Sequence, residues 1–515
     1  MTYAFPLSSS LEFFAFNYQE QFSVNGWELY NPTEELKRLI QNSTEWRITN
    51  KNSNYELCPT YPAVFAVPTL MKENDLEEVA KFRTKNRLPV LSWFHKKNGV
   101  SISRCSQPKV GLGRRSELDE FLIGAIRTST QGSKTLYIVD ARPKVNAVAN
   151  QAKGAGYENT EIYENTELLF MNIPNIHVIR ESYRKLRDCC FPASDDPKWY
   201  SKAEDTRWLE YIKLILQTTA KIVELVDKQG SSVLVHCSDG WDRTPQLTSL
   251  ASLLLDPFYR TIKGFCILIE KEWISFGHKF SERVGHGDKN YGDEQRAPIF
   301  IQFLDCVYQL WTQFPCSFEF NIKYLICLAD EVYICRYGTF LYDSESLKRE
   351  KKIKEKTPSL WSYILSNIDE FTNPLYEAGE EVLYANTTSK KLLIWNDYYM
   401  RWNPTAKKYD PKNEVTKELG IPIEVKSEID IILDETETET ETENETIGAP
   451  SEQTGTETPK DTPPETPTES LNEKDEKSDE RSDETPSNET PKEISNETLQ
   501  ETPIQTPIET QETPN

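Results

Sequence analysis

One cysteine in the chain is followed six positions later by an arginine, and it stands directly after an apolar run. Residues Val233 to Thr244 read V-L-V-H-C-S-D-G-W-D-R-T. Of the ten cysteines, only Cys237 has an arginine, Arg243, at this spacing. Such spacing allows backbone N–H groups to surround a phosphate while a thiolate lies beneath it. The segment Cys237–Thr244 (the cysteine loop) is therefore expected to bind an anion and to supply a nucleophile.

The residues around the cysteine loop predict a strand before it and a helix after it. Ser232–Val235 is the predicted strand, because Val233–Val235 is apolar and contains two β-branched valines, which is typical of a buried strand. Gly240 allows the backbone to turn where a Cβ would clash. The helix is expected to begin near Pro245, because proline fits the first helical turn. N–H groups of the loop and of the helix N-terminus would then converge on one anion site.

The side chains of the loop suit covalent phosphoryl transfer through sulfur. A free thiol titrates near about pH 8.5, but beside a helix N-terminus and a cation the value can fall to roughly 3.5–7.5. Arg243 can bind two phosphate oxygens with its planar fork, and Thr244 can donate a hydrogen bond to the Cys237 sulfur. Asp242 is the closest carboxyl for protonating a leaving alkoxide, with Asp239 as its competitor. This scheme needs neither a metal nor a cofactor, and a structural cysteine is the competing interpretation.

The carboxy-terminal residues differ sharply in composition from the rest of the chain. Residues 435–515 contain 24 acidic and 5 basic residues and no Trp, Tyr, Phe or Cys. They account for −19 of the whole-chain net charge of −23, so the remaining residues are close to neutral. A segment this polar cannot bury enough apolar area to offset its ordering entropy. We expect a disordered acidic tail, rich in Thr, Pro and Glu, that is a candidate for binding protein partners.

Strand-like and helix-like runs alternate through the remainder, which predicts an α/β domain with a central mixed sheet flanked by helices. The predicted strands are Ala63–Val67, Leu88–Leu91, Thr135–Val139 and Ser232–Val235. The predicted helices are Asp75–Phe82, Glu117–Ile126, Trp208–Val226 and Gln246–Leu255. The predicted organisation is an amino-terminal flank at 1–13, a domain at 14–410, a linker at 411–434 and the acidic tail at 435–515.

The cysteines and the amino terminus indicate a cytoplasmic protein. Met1–Glu20 lacks a basic region followed by an apolar core, so no secretory signal is predicted. No run approaches the roughly 18 apolar residues of a membrane span. The ten cysteines lack paired spacing, which favours reduced thiols over disulfides or a structural zinc site. No nucleic-acid partner is expected, and the oligomeric state stays open.

The cysteine loop and several further motifs resemble those of the myotubularin phosphoinositide 3-phosphatases. The motifs are Gly26–Tyr30, Tyr55–Cys58, Arg104–Pro108, Asp140–Pro143, Asn175–His177, Glu270–Trp273, Phe276–His278, Gln313–Pro315 and Phe318–Asn321. The resemblance covers about Phe14 to Asn403. Some family members have lost the loop cysteine or arginine, whereas this chain retains Cys237, Asp242 and Arg243 and so resembles the active branch.

The resemblance implies a cysteine-dependent, protein-tyrosine-phosphatase-like fold. It also implies hydrolysis of the 3-phosphate of phosphatidylinositol 3-phosphate and phosphatidylinositol 3,5-bisphosphate, in lipid turnover at endosomal or phagosomal membranes. In such enzymes the acid is the aspartate within the loop, which favours Asp242. The residues that match the family's binding motifs, or that line the loop, are Ser238, Asp239, Gly240, Trp241, Thr244, Asn150, Lys153, Lys279 and Arg283. For Lys153, Lys279 and Arg283 solvated surface charge is the competing interpretation, and Lys279 stands where the family often has arginine.

The chain also departs from the usual family pattern. Active relatives usually carry a PH-GRAM domain, which is expected to be missing here because only 25 residues precede Gly26. No FYVE finger or heptad coiled coil is evident after the catalytic region. The exposed indole of Trp241 could lie at a lipid interface or pack on neighbouring loops. Two other functions remain open, a protein-tyrosine phosphatase and a non-catalytic phosphoinositide-binding scaffold.

Overall fold

The computed structural model describes residues 13–18, 20–41, 43–130, 135–191, 197–286 and 293–402. The linker and the acidic tail predicted from the sequence lie outside the described residues, as does most of the amino-terminal flank. The strands are β1 (Trp46–Thr49), β2 (Phe65–Pro68), β3 (Val90–Phe94), β4 (Ser101–Ser106), β5 (Leu136–Asp140), β6 (Thr166–Phe170) and β7 (Val233–Cys237).

Seventeen α-helices accompany these strands in the described part of the chain. They are α1 (Pro32–Ile40), α2 (Leu76–Phe82), α3 (Glu117–Thr128), α4 (Lys144–Ala152), α5 (Ile176–Cys190), α6 (Trp199–Asp205), α7 (Trp208–Val223), α8 (Arg243–Leu255), α9 (Ile262–Ile269), α10 (Phe280–Val284), α11 (Ile299–Gln313), α12 (Ile322–Ile334), α13 (Glu345–Glu350), α14 (Ile353–Lys356), α15 (Leu360–Ser366), α16 (Ile368–Phe371) and α17 (Asn396–Tyr399).

A five-stranded mixed sheet lies at the centre of the domain. Its strand order is β3-β4-β7-β5-β6, with β3 antiparallel to β4 and the other neighbours parallel. A separate two-stranded sheet pairs β1 with β2. The predicted α/β class with a mixed sheet is confirmed. Because β7 is the middle strand, Cys237 lies at the carboxyl edge of the parallel strands, where ligands of open α/β sheets commonly bind.

The strand before the cysteine loop and the helix after it are both buried. All five residues of β7 are buried, as expected of a parallel strand that is covered on both faces. All thirteen residues of α8 are also buried, so this helix has no solvent face. It packs between the sheet and helices α7 and α11. The cysteine loop therefore joins two elements that are fixed by the core.

Every strand and helix predicted from the sequence overlaps an observed one, with shifts of a few residues. The shift that matters most for the site is at α8, which begins at Arg243 rather than near Pro245. Pro245 lies in the first helical turn, where the missing N–H leaves no helical bond unmade. The predicted helix Trp208–Val226 ends at Val223 and continues as a π-helical turn over Glu224–Lys228.

Two strands of the central sheet escaped prediction. β4 reads S-I-S-R-C-S, and its polar residues are buried through interactions with distant partners. β6 is an edge strand that is only half-buried, so its T-E-L-L-F pattern is weak. No helix among the described residues combines the length and apolar character needed to cross a bilayer.

Candidate active site

The Cys237 sulfur accepts two hydrogen bonds inside the cysteine loop. The Gly240 N–H donates to Sγ at 3.3 Å, and the Thr244 hydroxyl donates to Sγ at 3.3 Å. Both bonds favour the anionic form of the sulfur. The residue is buried, so the sulfur lies at the floor of the loop rather than at its rim.

The charge of Arg243 adds to these hydrogen bonds. Burial alone would raise the pKa of the Cys237 thiol, but the Arg243 guanidinium and the Thr244 hydroxyl outweigh it and hold the pKa below its ordinary value. One Nη of Arg243 donates to the carbonyl of Ile173 at 3.1 Å, which fixes the guanidinium beside the loop. A buried thiol with a lowered pKa is suited to nucleophilic attack.

Gly240 is required by both conformation and space. Its φ is +78°, in the left-handed region that favours glycine. A Cβ at this position would overlap the backbone carbonyl of Cys105 on β4. The loop therefore lies directly against the neighbouring strand, and this close approach sets the height of the loop above the sheet.

Two buried arginines hold the carbonyl of Gly240 from behind. Nη2 of Arg87 and Nη2 of Arg104 each donate to this oxygen at 2.9 Å. Arg104 also forms an ion pair with Glu272 at 2.7 Å. In a trans peptide the carbonyl and the following N–H point in opposite directions, so this contact turns the Trp241 N–H away from the arginines.

Arg87 has no such carboxylate partner among the residues that the structure describes. Its other bonds go to the carbonyl and hydroxyl of Thr60 and to the carbonyl of Phe276. The guanidinium also lies 4.5 Å from the ring centroid of Tyr61. A fully buried cation surrounded by neutral acceptors adds positive potential to the loop above it.

Asp242 is held by Arg283 on α10. The two side chains form a bidentate pair, with Nε–Oδ1 at 3.0 Å and Nη2–Oδ2 at 2.9 Å. Burial raises the pKa of the Asp242 carboxyl, but the charge and hydrogen bonds of Arg283 outweigh it, so the pKa lies below its ordinary value. In this arrangement Asp242 is ionised at neutral pH.

The second carboxyl of the loop has the opposite electrostatics. Burial and the nearby Asp242 raise the pKa of Asp239 above its ordinary value, and Lys85 and Arg87 only partly oppose them. Asp239 therefore holds a proton more readily than Asp242 does. Both acids named from the sequence lie in the loop, and their environments set their pKa values in opposite directions.

Asn150 reaches the loop from α4. Its Nδ2 donates to the Gln107 side-chain oxygen at 3.1 Å and lies 3.4 Å from the Ser238 hydroxyl. The backbone N–H of Gln107 donates to the Ser238 carbonyl at 3.0 Å. Arg142 also donates to Gln107, and its Nη2 donates to Asp140 at 2.6 Å. These bonds join α4, β4 and β5 at the entrance to the loop.

Trp241 packs between two cations rather than extending freely into solvent. Its ring centroid lies 5.1 Å from the Lys279 ammonium and 5.7 Å from the Arg87 guanidinium. His278 Nδ1 lies 2.6 Å from the Trp241 carbonyl. Because burial lowers the pKa of His278 to about 4, its ring is neutral and Nδ1 donates to that carbonyl. Packing on neighbouring loops is therefore the arrangement observed for this indole.

The four residues named outside the loop are not equally close to it. Arg283 and Asn150 form the contacts described above, whereas Lys279 meets the loop through the Trp241 ring and pairs with Glu282 at 3.3 Å. Lys153 is exposed at the carboxyl end of α4, one turn from Asn150. The structure thus brings Asn150, Lys279 and Arg283 to the loop and leaves Lys153 in solvent at its edge.

A buried network of charges lies behind Cys237. Nε2 of His236 lies 3.0 Å from the Glu158 carboxylate, whose other oxygen accepts from Arg83 at 2.6 Å. Arg83 also forms a bidentate pair with Asp119 on α3. Burial lowers the pKa of His236, but Glu158 outweighs it and raises the pKa above the ordinary value. The network fixes β7 just before Cys237.

Several residues that shape the loop were not singled out from the sequence. Arg104, Gln107 and Arg142 lie within motifs that the resemblance identified, but no role could be assigned to them without the fold. Arg87 lies in none of those motifs. Its signal is an arginine three positions before the apolar strand β3, where a charge is unusual unless it binds a buried group.

Comparison with known proteins places this geometry in a family. The family described as "Myotubularin-like phosphatase domain" matches residues 13–349. Myotubularin of Xenopus laevis is 52% identical over 411 residues, which are 79% of this chain and 68% of the relative. Phosphatidylinositol-3,5-bisphosphate 3-phosphatase MTMR2 of Mus musculus is 50% identical over 421 residues, 81% of this chain and 66% of the relative. The chain spans about two thirds of the length of these relatives. It belongs to the myotubularin-like phosphatase family.

Proposed function

We propose that this protein hydrolyses the 3-phosphate of phosphatidylinositol 3-phosphate and phosphatidylinositol 3,5-bisphosphate through a phosphocysteine intermediate. The observation that supports it most directly is the Cys237 sulfur, which accepts two hydrogen bonds beside the Arg243 guanidinium. A relative that is 50% identical over 81% of this chain is named a phosphatidylinositol-3,5-bisphosphate 3-phosphatase. This name supports the choice of a 3-phosphorylated inositol lipid as substrate.

In the first step the Cys237 thiolate attacks the phosphorus atom. The S–P bond forms as the bond from phosphorus to the inositol oxygen breaks. Arg243 and the N–H groups of the cysteine loop stabilise the equatorial phosphate oxygens, where negative charge is greatest. Asp242 gives its proton to the leaving inositol oxygen, so that an alcohol rather than an alkoxide departs.

In the second step water cleaves the phosphocysteine. Asp242, now a carboxylate, removes a proton from the attacking water, and the S–P bond breaks to release inorganic phosphate. The Thr244 hydroxyl, which lies 3.3 Å from Sγ, stabilises the thiolate as it leaves. Nucleophile and acid return to their starting states, and the cycle requires no metal.

The role of Asp242 as acid requires a change in its pair with Arg283. That pair keeps the Asp242 pKa low, so the carboxyl must lose part of the interaction before it can hold a proton. We propose that a phosphate of the bound lipid draws Arg283 away. Asp239 is the rival acid because its pKa is raised.

The two acids can be distinguished by changing the leaving group. An aryl phosphate with a weakly basic leaving group needs little protonation, whereas an inositol phosphate needs a full proton. Replacement of the true acid with asparagine should therefore reduce hydrolysis of the inositol lipid by about 10²–10⁴-fold and hydrolysis of p-nitrophenyl phosphate far less. We expect this pattern for Asp242→Asn and not for Asp239→Asn.

We further propose that the substrate headgroup is bound by the loop residues Ser238, Asp239, Gly240, Trp241 and Thr244 together with Asn150, Lys153, Lys279 and Arg283. The contacts of Asn150, Lys279 and Arg283 around the loop support this assignment. Lys153 would contact the headgroup only if the ligand extends beyond the loop. Lys279 offers a point charge and not a planar fork, so its grip on phosphate is the weakest part of the set.

The test is phosphate release from short-chain, soluble phosphoinositides. Wild-type protein should release phosphate from the two 3-phosphorylated lipids and not from isomers phosphorylated only at other positions. Cys237→Ser should release none, because an alcohol is not ionised at neutral pH. Full release by Cys237→Ser, or none by wild type, would overturn the proposal.

Two other functions give different results in the same assay. A protein-tyrosine phosphatase would act faster on phosphotyrosine peptides than on the lipids. A scaffold would bind the lipid without turnover, and Cys237→Ser would then behave as wild type does. The lowered pKa of Cys237 favours an enzyme over a scaffold, since a binding protein has no need for a reactive thiol.

We propose that the catalytic domain extends over residues 14–410 and acts from the cytoplasm at endosomal or phagosomal membranes. All ten cysteines are free, which agrees with a reducing compartment. The residues of the site lie between Asn150 and Arg283, well inside the proposed boundaries.

A further inference from the structure

Three cations beside the cysteine loop take no part in the chemistry proposed above. Lys85 and Arg114 are exposed, and Lys109 is half-buried. Within the described ranges, none of the three forms an ion pair with a carboxylate within 4.0 Å. We call Lys85, Lys109 and Arg114 the basic ridge. The Lys109 ammonium donates a hydrogen bond to the Lys81 carbonyl at 2.8 Å, which does not neutralise its charge. Cations that no carboxylate neutralises are available to bind an external anion.

Backbone hydrogen bonds join the basic ridge to the cysteine loop. The N–H of Lys109 donates to the Phe82 carbonyl at 2.9 Å, and the N–H of Thr84 donates to the Gln107 carbonyl at 3.0 Å. Gln107 in turn donates its own N–H to the Ser238 carbonyl at 3.0 Å. The segments that carry Lys85 and Lys109 are therefore fixed relative to the loop and lie at its edge, and Arg114 lies within electrostatic reach of Lys109.

The position of Lys85 is held by an unusual backbone. Lys85 and Asn86 have φ values of +55° and +58°, both in the left-handed region. The hydroxyl of Ser106 donates to the Thr84 carbonyl at 2.6 Å and stabilises this turn. Strained backbone that the surroundings hold in place is often associated with function. Here it presents one lysine outward next to the loop.

The cations of the basic ridge repel one another. Burial lowers the pKa of Lys109, and the charges of Arg114 and Lys85 lower it further. Asp239 interacts with Lys85 and offsets only part of this repulsion, and Glu120 pairs with Arg115 at 2.9 Å. Repulsion of this kind is relieved when an anionic surface binds.

We propose that the basic ridge docks the domain on the anionic phospholipid headgroups of a bilayer, with the cysteine loop facing the membrane. The proposal rests on the lipid phosphatase function proposed above, because the substrate then lies in a leaflet that carries negative charge. In this proposal the ridge binds the bilayer surface, and this role is separate from binding of the inositol headgroup. An acidic protein is the alternative occupant of the ridge.

The test compares vesicle binding by the full-length chain and by Lys85→Gln/Lys109→Gln/Arg114→Gln. Wild type should bind vesicles of phosphatidylcholine mixed with phosphatidylserine, and not vesicles of phosphatidylcholine alone. Each charge removed should weaken binding roughly fivefold, so the triple variant should bind on the order of 100-fold more weakly. The matched control is Lys72→Gln/Lys390→Gln/Lys391→Gln, which removes the same charge from exposed lysines elsewhere and should bind as wild type does.

Hydrolysis of a short-chain, soluble substrate separates docking from catalysis. The ridge variant should hydrolyse this soluble substrate as wild type does. If wild type fails to hydrolyse it, the result counts against the proposed function and not against the ridge. Lys109→Gln/Arg114→Gln serves if the triple variant folds poorly, since it leaves the lysine nearest Asp239 unchanged. Vesicle binding that is equal in ridge and control variants would overturn the proposal and leave an acidic protein as the occupant. So would failure of wild type to prefer anionic vesicles.

Discussion

The pKa of the Cys237 thiol is lowered by a few groups that can be changed singly. Thr244 and Gly240 donate hydrogen bonds to it, and Arg243 supplies a positive charge. Because these interactions lower the pKa, the reactive anion forms at a lower pH than in free cysteine. The rate of alkylation should therefore rise through a midpoint below about 8.5, the value of a free thiol.

Thr244→Val should slow alkylation of Cys237 by iodoacetamide. The variant loses one hydrogen bond to the anion, which contributes ~1.5 kcal/mol, so the rate at neutral pH should fall about tenfold. The midpoint should move to higher pH, because the neutral thiol is then favoured. Peptide mapping of the alkylated protein against pH measures both effects. Thr128→Val, whose hydroxyl bonds only to helix carbonyls, is the control and should match wild type.

Gly240 provides a test of how closely the loop must approach the sheet. Gly240→Ala adds both left-handed strain and an overlap with the Cys105 carbonyl, so the loop must move. A displacement of ~1 Å can cost on the order of 100-fold in rate, and we expect such a loss of phosphate release. Gly99→Ala has similar strain, with φ of +72°, but open space around its Cβ. Equal activity of the two variants would contradict this account.

At the scale of whole elements, the pair between the cysteine loop and α10 sets the ionisation of Asp242. Arg283→Gln removes the charge that lowers this pKa, so the pKa should rise. An acid is active when protonated, and its activity falls as pH rises through its pKa. The descending limb of the pH profile of kcat/KM should therefore move to higher pH in the variant. A limb that stays in place, measured with a soluble substrate, would rule out Asp242 as the group that titrates.

The charges behind β7 should contribute to folding rather than to turnover. Glu158→Gln leaves His236 and Arg83 without their shared carboxylate, and loss of one partner in a buried network costs about 3 kcal/mol or more. Burial opposes ionisation of Glu158, but His236 and Arg83 outweigh it and depress the pKa. The stability it adds is thus present above the unfolded-state pKa and is lost as pH falls through the folded-state value. Urea unfolding at several pH values measures the free energy of unfolding. The control is Glu161→Gln at an exposed position, which should stay within about 0.5 kcal/mol of wild type.

The elements on either side of the cysteine loop were predictable because their signals are local. β7 begins with the apolar run Val233–Val235, and α8 follows the turn at Gly240 and has a proline in its first turn. β4 was missed because Arg104 and its serines resemble a loop until Glu272 and the neighbouring strand are known. The interaction of Arg87 and Arg104 with one carbonyl also depends on contacts between distant residues. No periodicity in the chain reports such contacts.

For the whole molecule, sequence composition separated the acidic residues 435–515 from the domain that carries the site. The motif spacing predicted Cys237 as nucleophile, Arg243 as phosphate-binding residue and two candidate acids, and the structure places all four in one loop. The spacing could not give their electrostatics, which arise when α10 brings Arg283 to Asp242 and β4 brings Arg104 to Gly240. Nor could it reveal the basic ridge, whose members are neighbours only because two segments pair beside the loop.

The central claim is that a thiolate held in the cysteine loop takes up the phosphate of a 3-phosphorylated inositol lipid. Its most direct test mixes full-length protein with short-chain phosphatidylinositol 3-phosphate, quenches in acid within one turnover and maps the peptides by mass spectrometry. We predict a phosphate on the peptide that contains Cys237, and none on that peptide in Cys237→Ser. Substrate turnover with the Cys237 peptide unmodified at every quench time would contradict the account.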